Sequence, residues 1–310
     1  MRATPVISTA RGTRTEAFGP LEWGLLASIA LMWGSSFLLI ALGLEAFEPG
    51  LVAALRLAFG TAAVALAPGS RRRVRREDWP RIAVLGVVWM AIPLALFPIA
   101  QQWVASSVAG MINGSMPLFA ALFAWWLLGR APEGRQGAGL LLGFSGVVLI
   151  VLPTAQGGSA TAVGAGLLLF GTMLYGLAAN ITVPLQQRYG ALPVVLRAQL
   201  VALAVLTPYG LLSVPGSTFS WPAAVSMAVL GVFATGVAFI AMVTLVGRAG
   251  ATRGAVAIYF LPVVAVVLGV TFRGEPVHRL SLIGIALVLG GAYLTSRRER
   301  PFEVEPAVPA

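Results

Sequence analysis

The chain has 310 residues, 58% of them hydrophobic and only 10% charged, against about 25% charged in an ordinary soluble domain. With a mean hydropathy of +0.89, that composition excludes a soluble globular enzyme and describes a polytopic membrane protein. Cysteine is absent and the sole histidine is His278, which excludes disulfides, iron–sulfur clusters and histidine-built metal sites, while the net charge of +10 is carried entirely by arginines that follow the loops.

Residues 1–20 carry Arg2, Arg11, Arg14 and Glu16 with no apolar core, and so read as a cytoplasmic tail rather than a cleavable signal. Ten apolar segments follow, at roughly 23–44, 51–68, 81–101, 105–128, 136–153, 162–184, 191–213, 221–246, 252–271 and 279–296. Most are long enough to cross ~30 Å of hydrocarbon at about 1.5 Å per residue. Residues 298–310, rich in proline and glutamate, form a second cytoplasmic tail.

Polar and aromatic residues inside these spans are the candidates for a binding site. The first span holds Trp33, Ser35 and Ser36; the serines either line a polar cavity or let helices approach closely. Arg56 lies in the second span, where an arginine costs at least ~2.5–3.5 kcal/mol to insert. It either attracts an anion such as a carboxylate or caps carbonyls near the rim, and Arg197 in the seventh span has the same two readings. Trp89 is deep in the third span, Asn113 and Ser115 precede Pro117 in the fourth, and Asn180 is a deep amide in the sixth. Thr235 stands in a small-residue stretch of the eighth, and Tyr259 precedes Pro262 in the ninth. The expected substrate contacts are therefore Trp33, Ser35, Ser36, Arg56, Trp89, Asn113, Ser115, Asn180, Thr235 and Tyr259. Pro117 and Pro262 are expected helix bends, since a mid-span proline frees a backbone carbonyl one turn earlier.

The arginines orient the spans. With the N-terminus inside, seventeen of the 21 fall in inside segments, Arg273 and Arg279 fall outside, and Arg56 and Arg197 lie within spans. Both termini are therefore expected in the cytoplasm. A repeat then sets the architecture. Pro117, Gly129, Gly139 and Gly146 recur as Pro262, Gly274, Gly284 and Gly291, each pair 145 positions apart (262 minus 117, 291 minus 146). Residues 21–153 and 162–297 are read as two copies of one five-span unit. An odd number of spans inverts the second copy relative to the first, and inverted repeats place a binding site near the midplane between them. The expected fold is an all-α membrane protein of ten transmembrane helices built from two inverted five-helix repeats. Gly139, Gly146, Gly284 and Gly291, spaced by seven within each copy, are expected to let their helices pack closely.

Trp33-Gly34-Ser35-Ser36-Phe37, Arg56, the Pro117…Gly129 and Pro262…Gly274-Glu275 blocks and the Gly231–Phe239 stretch resemble the EamA family of the drug/metabolite transporter superfamily. The resemblance spans about 22–297 and departs at one point: Arg130 stands where the second copy has Glu275. It implies an inner-membrane transporter of small metabolites, often an exporter of amino acids or related compounds.

No aspartate, glutamate or histidine lies mid-span, which disfavours proton antiport through a buried acid. The chain has no lysine, so it has no nucleotide-binding P-loop. The reading is a secondary transporter without cofactor or metal, embedded in the bilayer, binding a small molecule and no nucleic acid, as monomer or homodimer. A lipid or lipid-linked metabolite translocator is the alternative; an intramembrane enzyme lacks a base beside Ser35 and Ser36.

Overall fold

The computed structural model describes residues 6–10, 18–129, 134–155 and 158–296, and among these every regular element is helical. Arg2, Arg11, Arg14, Arg130, Arg297, Arg298 and Arg300 lie outside the described residues. In chain order the helices are α1 (Pro20–Gly43), α2 (Pro49–Leu66), α3 (Arg76–Ala100), α4 (Ser106–Leu128), α5 (Gly134–Ala155), α6 (Ser159–Tyr189), α7 (Ala191–Leu212), α8 (Trp221–Ala249), α9 (251–273) and α10 (Arg279–Ser296). Seven are long and apolar enough to cross a membrane; α5, α9 and α10 carry shorter apolar stretches, Gly137–Pro153, Leu261–Arg273 and Arg279–Gly291.

The exterior is apolar and the interior holds the polar groups. Leu66, Leu141, Leu212 and Phe272 are largely exposed, while Arg56, Asn113, Ser115, Asn180, Gln199 and Thr235 are buried. That distribution suits a lipid solvent, where helices satisfy their own backbone and polar side chains turn inward.

Polar contacts tie each end of the bundle. At one end Glu22 near the start of α1 accepts from Arg248 near the end of α8, at 2.9 and 2.7 Å. Beside it, Asp78 at the start of α3 receives Arg188 from the end of α6 at 2.6 Å, the Tyr189 hydroxyl and Arg81 at 3.6 Å. Arg81 reaches on to Ser8. At the opposite end Arg273 of α9 pairs with Glu45 of the α1–α2 loop at 2.6 Å. The same loop meets the α7–α8 loop, where Thr218 donates its backbone N–H to the Ala46 carbonyl at 2.8 Å.

Glu275 closes this second end by capping α4. Its carboxylate accepts from the Ser106 N–H and hydroxyl at 2.9 and 2.7 Å and from the Ser107 N–H at 2.8 Å. These are otherwise orphaned groups at a helix start. Burial pushes the Glu275 carboxyl up, but the bonds from Ser106 and Ser107 outweigh it and hold it below the usual range. A depressed carboxyl stabilises the fold above its unfolded value of about 4.3 and loses that contribution as pH falls through the folded value. Glu275→Gln protein is expected to be about 1.5 kcal/mol less stable at pH 7, the scale of hydrogen bonds to a charged group. Thermal melts in detergent at pH 7 and pH 4 check this: the gap to wild type should shrink at the lower pH.

The duplicated proline–glycine spacing has a backbone cause. α4 breaks after Asn113 and restarts at Met116 with Pro117 in its first turn; α9 restarts at Leu261 with Pro262 in the same place. A first-turn proline loses no helical hydrogen bond. Both segments end at a left-handed glycine, Gly129 at φ 67° and Gly274 at φ 62°. The two breaks also meet, for a Cβ on Gly114 would overlap the Pro262 ring. A second recurrence was not read from the sequence: α3 widens to a π-helical stretch over Gly86–Ala91, and α8 does so over Leu230–Val237. Residues 86 and 91 fall at 231 and 236 under the same 145-residue offset.

Candidate functional site: a central cavity around Arg56

A cavity lies near the middle of the bundle. It is lined by Trp33, Ser36, Phe37 and Ile40 of α1, Arg56 of α2, Trp89 and Phe97 of α3, Asn113 and Met116 of α4, Tyr175 of α6 and Ile258 of α9. Asn113 and Ile258 occupy equivalent places in the 145-residue repeat, so both copies reach the cavity with one polar and one apolar residue.

Two aromatic groups wall it. Trp33 meets Phe239 edge-on at 5.2 Å between ring centres, and Phe239 lies 4.6 Å from Trp89. On another side Phe97 stacks on Tyr175 at 5.7 Å and touches Phe37 at 5.9 Å. These contacts fix the ring orientations and leave a largely apolar surface.

Arg56 is the only charged side chain among the lining residues, and it is just 4% exposed. Its Nε donates to Thr235 Oγ1 at 3.2 Å. Among the described residues Nη1 and Nη2 have no hydrogen-bond partner, and no carboxylate pairs with the group. Arg197 took the other course. Its guanidinium binds the carbonyls of Pro193 at 3.1 Å, Ser70 at 3.2 Å and Arg72, so it serves as a carbonyl cap at one end of the bundle.

The π-helical stretch of α8 holds Arg56 and Trp33 in place. A widened turn leaves carbonyls without their usual donors. The Trp33 indole donates to the Ala234 carbonyl at 2.7 Å, and Gln199 donates to that of Thr235. α2 packs directly on this stretch, since a Cβ on Gly231 would meet the Arg56 carbonyl and Phe59.

The other expected contacts fall elsewhere. Thr235 stands behind Arg56, outside the lining. Ser115 donates to the Ile112 carbonyl at 2.6 Å, beside the helix break. Asn180 donates to the carbonyls of Ala120 and Gly176 at 2.9 and 3.0 Å and stitches α6 to α4. Ser35 points away from the cavity into a shallow recess between α1 and α8, with exposed Leu31 and Phe233 beside it, and donates to the Leu31 carbonyl at 2.9 Å. The Tyr259 side chain lies outside the described residues. Sequence reasoning missed Phe37, Ile40, Phe97, Met116, Tyr175 and Ile258 as lining residues. Of these only Tyr175 carried a signal, a phenol deep inside an apolar span.

The profile of the EamA-like transporter family matches residues 22–152 and again 162–297. The chain belongs to that family. Like it over nearly their whole lengths are several named transporters. A probable terminal-alkyne amino-acid exporter of Streptantibioticus cattleyicolor is 28% identical over 279 residues, 89% of this chain and 93% of the relative. The inner membrane transporter YedA of Escherichia coli K12 is 25% identical over 295 residues, covering 92% and 94%. A transporter of Archaeoglobus fulgidus is 23% identical over 281 residues, covering 89% and 99%. A solved crystal structure superposes with a TM-score of 0.64 at 22% identity, over 87% of this chain and 98% of the other, and shows the same fold. This EamA chain is thus a multi-pass membrane protein of a transporter family, and its relatives are transporters rather than enzymes.

Proposed function

We propose that this protein is a secondary transporter of the cell inner membrane that exports small organic metabolites, amino acids among them, by alternating access around the central cavity. The observation that carries this reading is the cavity itself, set near the middle of the bundle and lined from both copies of the repeat. Its polar groups are Ser36, Arg56, Asn113 and Tyr175, and Trp33 and Trp89 form its walls. The resemblance to an amino-acid exporter supports the substrate range.

Ten spans in two inverted units, 21–153 and 162–297, supply the moving parts of this reading. Its support is a crossed contact between α5 and α10. Gly146 approaches Gly284, whereas Gly139 approaches Gly291. Under the 145-residue offset, Gly139 maps to Gly284 and Gly146 to Gly291, so each contact is the image of the other. Reciprocal contacts of this kind are what a two-fold relation between the copies would produce. The register is antiparallel, as an axis lying in the membrane plane requires. The clusters at Asp78 and Glu275 would then close the cavity at opposite ends. With the arginine-rich loop inside, the Asp78 end faces the cytoplasm, as do both termini.

An uptake screen in proteoliposomes over amino acids, organic acids and amines, with and without a pH gradient, tests the proposal. Saturable, ATP-independent flux of at least one small metabolite is expected. Flux confined to fluorescent lipid analogues would instead make the protein a lipid translocator and overturn it.

A further inference from the structure

Arg56 is a buried cation with no counter-ion among the described residues. Removing an ion from water costs several kcal/mol even after the protein relaxes, and an arginine does not escape that cost by giving up its proton. In this chain no aspartate or glutamate occupies the apolar spans around the cavity, and the acidic side chains among the described residues sit at the two ends. Glu22 is paired with Arg248, Asp78 with Arg188, and Glu45 and Glu275 with Arg273. The missing negative charge has to come from the occupant.

The donors for it are already in place, and the enclosed space of about 30 Å³ must widen to take the rest of the ligand. Thr235 accepts from Nε and so fixes the plane of the guanidinium, which leaves Nη1 and Nη2 as a pair of donors on a group lining the cavity. Two adjacent donors in one plane match the two oxygens of a carboxylate. Around them lie the rings of Trp33, Trp89, Phe97 and Tyr175 and the aliphatic Ile40 and Ile258, which suit an apolar body. The lining has no acidic side chain to pair with an ammonium group.

We infer that the cavity is a binding site for organic monocarboxylates with an apolar or aromatic body, in which the carboxylate on Arg56 is the required feature and an α-amino group contributes nothing. The inference rests on the cavity being the transport site only for its meaning in transport; as a statement about binding it stands alone. Thr235 is a positioning residue in this site, since it touches the guanidinium rather than the ligand.

A matched series separates the elements of recognition. Calorimetric binding to the purified full chain in detergent would use 4-methylpentanoate, leucine, isoamyl alcohol and isoamylamine, which share a branched body and differ in their charged groups. The expected order has 4-methylpentanoate binding at least as tightly as leucine, with the alcohol and the amine at least tenfold weaker. Arg56→Gln should weaken 4-methylpentanoate at least tenfold and so remove most of its margin over the alcohol. Arg56→Lys, which keeps the charge but not the fork, should recover part of the loss. Thr235→Val should weaken the acid severalfold, and Thr235→Ser should restore it, a rescue that a packing role for the methyl group would not produce. Melting curves confirm that each variant is folded. Binding of the amine or alcohol as tight as the acid, absence of acid binding, leucine at least tenfold tighter than 4-methylpentanoate, or an Arg56→Gln protein with unchanged affinity for the acid each overturns the inference. The flux screen above fails separately: acids that bind but are not carried would refute the transport reading and leave this one standing.

Discussion

Asp78→Ala protein is expected to lose ~3 kcal/mol of stability, the lower end of the range for breaking a buried ion pair by removing one partner. Asp78 is buried and holds three groups at once: Arg188 at 2.6 Å, Arg81 at 3.6 Å and the Tyr189 hydroxyl. Without the carboxylate, Arg81 stays buried beside the empty place, whereas Arg188 is 38% exposed and recovers part of its hydration. That partial recovery is why the lower end of the range applies. Asp78→Asn keeps an acceptor for Tyr189 and Arg188 and should cost less. Arg75→Ala, which removes an ion pair whose side chains are 64% and 59% exposed, should change stability by under about 0.5 kcal/mol. Thermal melts of the three variants in the same detergent rank them; equal melting points for Asp78→Ala and Arg75→Ala would refute the role given to Asp78.

Gly284→Leu is expected to cost about as much through a different cause. A Cβ on Gly284 would stand 2.6 Å from the Gly146 carbonyl oxygen, and one on Gly146 would stand 2.5 Å from that of Gly284. The obstacle is backbone on both sides, so no rotamer change relieves it, and α5 and α10 must separate. Overpacking of this kind costs typically 1–3 kcal/mol, and the upper value is expected here. The crossed symmetry makes a sharper statement. Gly146→Leu should be about as harmful as Gly284→Leu, because each glycine faces the carbonyl of the other. Gly166, with open space around its Cβ direction, is the control: Gly166→Ala should be neutral or stabilising by up to about 1 kcal/mol. Fluorescence-detected size-exclusion after a heating step gives the comparison.

The apolar helices and the recurring proline–glycine spacing were legible in the sequence because both have backbone causes. Long apolar runs without charges describe helices whose surroundings are apolar. Pro117 to Gly129 and Pro262 to Gly274 each bracket one helix between a first-turn proline and a left-handed cap. The π-helical stretches of α3 and α8 were not legible, since Gly86–Ala91 and Leu230–Val237 look like any other small and apolar residues.

The site was legible in part. Insertion cost singled out Arg56 and Arg197 equally, and what separates them is distant in sequence. Arg197 finds the carbonyls of residues 70–72, more than a hundred positions away, while Arg56 finds Thr235 and no acid. Ser35 and Ser36 show a second limit. They are neighbours on α1, yet Ser36 lines the cavity and Ser35 faces the recess beside α8. In a helix that is apolar on every side, no periodicity marks which face turns inward. Asn180 looked like a ligand contact but spends its amide on the carbonyls of Ala120 and Gly176.

The unpaired charge of Arg56 also has an electrical consequence. One elementary charge that crosses the membrane field is worth about 2.3 kcal/mol per 100 mV. An empty cavity carries the net charge of one arginine, whereas a cavity holding a monoanion carries none. If the cavity carries a monocarboxylate by alternating access, the resting voltage would act on the empty protein and not on the loaded one, and would bias the unloaded cavity to open toward the negative side.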